Sequence, residues 1–100
     1  MQELIWMVEG LVDAELKRAN SIHDPYFNSY HEAYAVILEE VEEAENEIDD
    51  LKRLMDAMWE HVKSDYDEAI VSLLPSIEAY AIHAAAEMIQ VAAMTRKARM

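Results

Sequence analysis

The chain contains no cysteine, one glycine and two prolines among its 100 residues. Without cysteine it forms neither a disulfide nor a thiolate metal site, which favours a reducing compartment. The single glycine, Gly10, excludes a glycine-rich phosphate loop. The start of the chain lacks the features of a secretory signal, and no apolar stretch is expected to reach the roughly 20 residues of a membrane span. We therefore expect a soluble, cytoplasmic protein.

Basic residues are also scarce. The chain has eight Lys and Arg but 21 Asp and Glu, which gives a net charge of −13. Such a charge argues against binding nucleic acid or an anionic membrane, because both need a basic face. A small anionic ligand is compatible with it if a divalent cation is also bound. Hydrophobic residues make up 53% of the chain, more than one small helical subunit can cover. We expect one domain, residues 1–100, that forms a homodimer or homotetramer.

The first two thirds of the chain carry the apolar spacing of helices. One helix is predicted over residues 2–19, followed by a loop over 20–28. Ser29 and Glu32 form a capping box that starts a second, long helix. Its apolar seam alternates steps of four and three over Tyr30, Tyr34, Ile37, Val41, Ala44, Ile48, Leu51, Met55, Met58 and Val62. Such a seam predicts packing in an antiparallel bundle.

The last third is predicted to hold two helices. The first begins near Ser64 or Asp65 and ends near Leu73, because Pro75 would interrupt it. The second begins at Pro75, where a first-turn proline is tolerated, and runs to about residue 98. The expected fold is all-α: an antiparallel bundle of about four helices, two of them long, completed by oligomerisation.

The last helix carries one polar stripe on an otherwise apolar surface. Between residues 79 and 94 the strongly polar side chains are His83, Glu87 and Gln90, and their spacing places them on one face. The other faces are apolar, so we expect this helix to be buried nearly all round. A buried carboxylate needs a partner, and Glu87 therefore calls for a cation or a hydrogen-bond donor.

The acidic run at residues 39–43 is the predicted partner of Glu87. Glu40 and Glu43 lie one turn apart, so their carboxylates can converge with Glu87 if the two helices pack antiparallel. Gln90 can add an amide oxygen. Oxygen ligands of this kind suit Mg²⁺, or Mn²⁺, rather than zinc. For the acidic run by itself, a solvated surface face is the alternative.

These two segments resemble a known family. Residues 39–44 read EEVEEA and residues 87–92 read EMIQVA, which is similar to the EEVGEL and ELADVL motifs of MazG-like, all-α nucleotide pyrophosphohydrolases. That superfamily includes dimeric dUTPases and dCTP pyrophosphatases, and the chain resembles its small phage-type members over residues 30–97. The resemblance implies a helical bundle that forms dimers or tetramers. It also implies Mg²⁺-dependent cleavage of a nucleoside or deoxynucleoside triphosphate to the monophosphate and pyrophosphate.

The resemblance also implies residue roles. Glu39 or Glu43 would orient the attacking water, and Glu40, Glu43, Glu87 and Gln90 would hold the metal. Gln90 stands where the family has a metal-binding Asp, so metal affinity should fall unless Glu47 compensates. The segment between the two motifs is longer than is usual for the family.

Five further residues are weaker candidates for substrate binding. Tyr30, His31 and Tyr34 could stack on a base, although core packing or an exposed first turn is the alternative. Lys52 and Arg53 could meet phosphates across a subunit boundary, with local salt bridges as the alternative.

Two other functions compete with the pyrophosphohydrolase. A non-catalytic helical assembly module would keep the scaffold without the activity. A di-iron carboxylate bundle is disfavoured, because the Glu-x-x-His pairs of such proteins are missing here.

Overall fold

The computed structural model describes all 100 residues as three helices joined by two short connections. The helices are α1 (Gln2–Ile22), α2 (Tyr30–Lys63) and α3 (Asp67–Ala98), and 87% of the chain is helical with no strand. The all-α prediction is confirmed. The count is three helices rather than about four, because the last third of the chain forms one helix instead of two.

Pro75 lies inside α3 and does not end a helix. The prediction of a break at this position is wrong. Pro75, Val71 and Leu74 are exposed, so the carbonyl group that lacks its helical donor faces solvent. An interior proline costs about 3 kcal/mol relative to alanine, and the packing of α3 against α2 and α1 offsets that cost.

The start of α2 follows the predicted cap. The Ser29 hydroxyl oxygen accepts a hydrogen bond from the Glu32 backbone N–H at 3.1 Å. The Glu32 carboxylate does not close the box onto Ser29, but accepts a hydrogen bond from Asn28 Nδ2 at 2.9 Å. Ser29 therefore caps α2, and Glu32 ties the preceding loop to its first turn.

The turn between α2 and α3 is short and conformationally special. Asp65 has a φ of 54°, in the left-handed region that Asp tolerates better than most residues. Tyr66, rather than Ser64 or Asp65, stands at the N-cap of α3, and no side chain caps that end. This turn lets α3 return along the length of α2.

The helices pack in a chain, with α2 against α3 and α3 against α1, while the backbones of α1 and α2 do not approach each other closely. The resulting body measures 54 × 30 × 22 Å. A small core joins α1 to the C-terminal half of α3 through Val12, Leu16 and Ala93, with Ile89 and Met94 packed against it. This packing places one side of α1 beside the polar stripe of α3.

Much of the apolar surface is exposed in the protomer. Only eight of 100 residues are buried, and no large side chain is fully buried. The prediction that α3 is buried nearly all round is wrong, because Ile82 and Met88 are 60% and 50% exposed. Tyr30 and Tyr34 are also exposed, which excludes core packing for them within one chain.

One helix, α3, is long and apolar enough to cross a membrane by length and composition. The sequence-based expectation that no stretch reaches this length therefore does not hold. A single such helix is weak support for a membrane protein, since a core helix of a soluble protein meets the same criterion.

Candidate metal centre

The antiparallel packing of α2 and α3 brings their polar stripes together in register. Because the two helices run in opposite directions, Gln90 of α3 lies beside Glu40 of α2, and Glu87 lies beside both Glu40 and Glu43. One carboxylate oxygen from each of Glu40, Glu43 and Glu87 lies within 4.8 Å of the other two. The predicted convergence of these three carboxylates is present in the structure.

Gln90 closes one end of this carboxylate cluster, defined by Glu40, Glu43 and Glu87. With its amide nitrogen turned inward, Gln90 donates hydrogen bonds to Glu40 Oε2 at 2.7 Å and to Glu87 Oε2 at 2.9 Å. In the opposite orientation the amide presents its oxygen to the same space. Gln90 can therefore donate to the carboxylates when no metal is bound, and its amide oxygen can serve a cation as a ligand.

The cluster is electrostatically strained. Burial, followed by the negative charge of Glu43 and contact with Glu87, raises the pKa of Glu40 to about 7. The hydrogen bond with Glu87, followed by burial, raises the pKa of Glu43. Glu40 therefore retains its proton to near neutral pH, which reduces the repulsion from Glu43.

Glu47 and His83 extend the stripe by one turn. His83 Nδ1 lies 3.7 Å from Glu47 Oε2, which is buried and has no hydrogen-bond partner. The sequence suggested His83 as a partner of Glu87 or as a core residue. It instead faces Glu47, with 63% of its side chain exposed and its ring edge-on to Tyr80.

These residues fit a hard divalent cation. Three carboxylates supply anionic oxygens, Gln90 can supply a carbonyl oxygen, and Glu47 offers an unpartnered oxygen one turn away. Mg²⁺ and Mn²⁺ prefer such oxygen ligands. The raised pKa values of Glu40 and Glu43 also mean that a cation would relieve repulsion that a proton otherwise relieves.

The other predicted site residues lie outside the cluster. Glu39 is exposed, although its charge contributes to raising the pKa of Glu40. Tyr30, His31 and Tyr34 are exposed in the first turns of α2. Arg53 forms an ion pair with Asp50, as its local alternative predicts, and Lys52 is exposed.

Sequence reasoning missed a contribution from α1. A groove of about 310 Å³ between α1 and α3 is lined by Glu15, Arg18 and Gln90 among others. The Arg18 guanidinium donates to both oxygens of Glu15, at 2.9 and 2.5 Å, and this pair lowers the pKa of Glu15. The spacing of three between Glu15 and Arg18 indicates a pair, but only the packing places it beside Gln90.

Comparison with known proteins yields no match to a protein-family model, a curated protein or a solved structure. The resemblance to MazG-like proteins is confined to the motifs at residues 39–44 and 87–92, and none of these comparisons supports it. The geometry of the carboxylate cluster is independent of that resemblance.

Proposed function

We propose that this protein is a Mg²⁺-dependent nucleoside triphosphate pyrophosphohydrolase of the MazG-like type. The observation that carries the proposal is the meeting of Glu40, Glu43 and Glu87 within 4.8 Å across two antiparallel helices. Like charges converge in this way at a cost in stability, which a resident cation would offset. Mn²⁺ is the alternative metal.

In the proposed hydrolysis, different residues bind the metal and activate the attacking water. When bound, Mg²⁺ neutralises phosphate charge and acidifies water. Glu40, Glu43 and Glu87, with the amide oxygen of Gln90, would hold the cation. Glu43 or the neighbouring Glu39 orients a water molecule and takes its proton. The water oxygen bonds to the α-phosphorus, and the bond from that phosphorus to the bridging oxygen breaks, so that pyrophosphate leaves.

Arg18 is the basic residue best placed to assist at the phosphates. It lines the same groove as Gln90, and its bidentate pair with Glu15 fixes its orientation. Arg guanidinium groups suit phosphate geometry. The other candidates lie on α2 on either side of the cluster, and in this proposal they act across a subunit boundary: Tyr30, His31 and Tyr34 before it, and Lys52 and Arg53 after it.

Assembly of two or more copies completes the proposal. The protomer exposes 7355 Å², whereas a monomeric protein of this mass typically exposes about 5,800 Å². The difference of about 1,550 Å² is roughly twice the area that one partner buries in a standard interface, and it is comparable to that of an obligate homodimer. Exposed apolar residues of α1 and α3, such as Trp6, Met7, Ile82 and Met88, supply such a surface.

The experiment is pyrophosphate release from a panel of ribo- and deoxynucleoside triphosphates with Mg²⁺. We expect at least one substrate to be cleaved, with activity lost on chelation and in E87Q. The matched control is E78Q, because Glu78 is an exposed carboxylate of the same helix that lies outside the cluster. No release from any substrate, or equal activity of E87Q and the wild type, would overturn the proposal.

A non-catalytic helical assembly module is the second candidate. The extent of exposed apolar surface favours it, since assembly alone would explain that surface. An oligomeric protein that binds no divalent metal and releases no pyrophosphate would fit this candidate. Metal-dependent pyrophosphate release would exclude it.

A further inference from the structure

A second cavity lies at the opposite end of α2 from the α2–α3 turn. It has a volume of about 240 Å³ and is formed between the α1–α2 loop, the start of α2 and the end of α3. Its lining includes Tyr26, Phe27, Asn28, Ser29, Tyr30 and Lys97. We call this cavity the Lys97 cleft. No residue of the carboxylate cluster lines it.

Lys97 is the only charged residue that is buried in the protein, with 6% of its surface exposed. Its ammonium group makes no hydrogen bond or ion pair with the protein, and its nearest aromatic contact is Phe27, at 4.7 Å from Nζ to the ring centroid. A lysine is almost never buried to this extent unless it is paired. The cation–π contact replaces only part of the lost hydration.

Nearby carboxylates do not supply the missing partner. Glu32 is engaged by Asn28 at 2.9 Å, and neither it nor Asp24 forms an ion pair with Lys97, although both line the adjoining cavity with it. The cleft also receives the positive end of the 34-residue helix α2, where the first-turn N–H groups of Tyr30 and His31 lack intrahelical acceptors. The end of α3 also lines the cleft, through Ala98 and the following Met100, and places partial negative charge there. The unpaired ammonium group of Lys97 is therefore the feature that favours an anion here, and the start of α2 supplies free N–H donors.

We propose that the Lys97 cleft binds a small organic anion, a phosphate monoester or a carboxylate carried on a planar ring. The anionic head would lie between the Lys97 ammonium and the start of α2. The ring would lie against Tyr26 and Tyr30, whose side chains are available because both residues are largely exposed. A volume of about 240 Å³ accommodates one ring and its head group.

This site is separate from the proposed metal centre. Glu40 lies eleven positions after Ser29, or about 16 Å along the axis of α2 at ~1.5 Å per residue. Binding in the Lys97 cleft therefore needs neither Mg²⁺ nor pyrophosphohydrolase activity. The test can be made with a chelator present, so its result does not depend on the function proposed above.

Phenyl phosphate is the probe, titrated into the protein in the presence of chelator at constant ionic strength. Backbone amide shifts of Phe27, Asn28 and Ser29 in two-dimensional NMR report the site and the Kd. Benzoate distinguishes carboxylate from phosphate recognition, benzyl alcohol tests the ring without charge, and inorganic phosphate tests the charge without a ring. We expect phenyl phosphate or benzoate to bind more tightly than benzyl alcohol and inorganic phosphate.

Two lysine variants give a matched comparison. K97M removes the charge at similar side-chain volume and should raise the Kd about tenfold or more, whereas K97R should retain binding. K63M is the control, because Lys63 also lies near an aromatic ring, Trp59, but is exposed and paired with Glu60. An unchanged Kd in K97M, or wild-type protein whose loop amides do not shift, would overturn the proposal even if one variant failed to fold.

Discussion

His83 Nδ1 lies 3.7 Å from Glu47 Oε2, across the interface between α2 and α3. This pair lies one turn beyond the carboxylate cluster on both helices. Carboxylates face one another in the cluster, whereas here a carboxylate faces an imidazole ring. The buried oxygen of Glu47 has no hydrogen-bond donor. No hydrogen bond holds this oxygen in place, and Glu47 is the carboxylate nearest along α2 that could compensate for Gln90.

The stability of the metal-free protein should fall as pH rises from about 4.5 to 7. The pKa of Glu40 is raised from 4.5 to about 7 in the folded state, so the native protein binds more protons than the unfolded chain across this window. The free energy of unfolding then decreases with pH and levels off above the folded pKa. Chemical denaturation in chelator across this range tests it, and the decline should be smaller in E40Q. A flat profile that matches E40Q would contradict the strained cluster.

Divalent metal should restore the stability that the metal-free protein loses at neutral pH. Mg²⁺ or Mn²⁺ that binds only the native cluster stabilises it by linkage, by about 2.7 kcal/mol at a hundredfold excess over Kd. We expect Tm to rise with either ion at neutral pH, beyond a monovalent salt control of equal ionic strength. Equal shifts with both kinds of salt would indicate screening alone.

Gln90→Asp should separate metal binding from apo stability. The added carboxylate would face Glu40 and Glu87, which Gln90 now contacts at 2.7 and 2.9 Å. Without metal the variant should lose at least about 1 kcal/mol, because two hydrogen bonds become like-charge contacts. With Mg²⁺ it should bind metal more tightly than the wild type.

Glu87→Gln is the reciprocal change, expected to stabilise the apo protein and to abolish metal binding. Denaturation of both variants with and without Mg²⁺ measures these effects. If these residues belonged to an ordinary solvated surface, each substitution would change the free energy of unfolding by no more than about 0.5 kcal/mol, with or without metal. That result in both variants would exclude the cluster as a metal site.

Pro75→Ala should stabilise the protein. The substitution restores a backbone donor in the interior of α3 and removes the clash of the ring with the preceding turn. The gain should be about 3 kcal/mol at most, since packing already holds the helix together. Urea denaturation measures it, with Ser76→Ala as a neighbouring exposed control. A loss of stability would show that α3 requires the proline.

Assembly should depend on the apolar surface of α3 and α1. We expect sedimentation of the wild type at micromolar concentration to give a dimer or larger species, and Ile82→Asp to shift it toward monomer. Ala→Asp changes at buried positions would disrupt folding, so Ile82, which is 60% exposed, is the suitable residue. A folded, monodisperse monomer of the wild type would contradict oligomerisation.

The sequence predicted the features that depend on local spacing. Periodicity placed Glu40, Glu43, Glu87 and Gln90 on facing stripes, and the Ser29 cap marked the start of α2 correctly. Features that depend on tertiary packing were missed. Pro75 is retained within α3 because distant contacts outweigh a local cost, and no spacing rule relates Glu15 and Arg18 to Gln90.

Burial was the least predictable property. The apolar character of residues 79–94 predicted an enclosed helix, but only α2 and part of α1 are available to cover it within one chain. The burial of Lys97 could not be predicted either, because its place in a basic C-terminal turn is typical of a solvated helix end. Its burial follows from the position of Phe27 in the α1–α2 loop.

The backbones of α1 and α2 do not approach each other closely, so the molecule consists of the α2–α3 hairpin and a helix attached to α3. The attachment is the small core between α1 and α3 together with the ion pair between Asp13 and Arg96. Opening of α1 would break this core, so the exchange of its amide hydrogens would measure the stability of the α1–α3 interface. Each opening would carry Arg18 away from Gln90 and widen the approach to the cluster, so that the exchange rate of one helix would report how often the site is accessible.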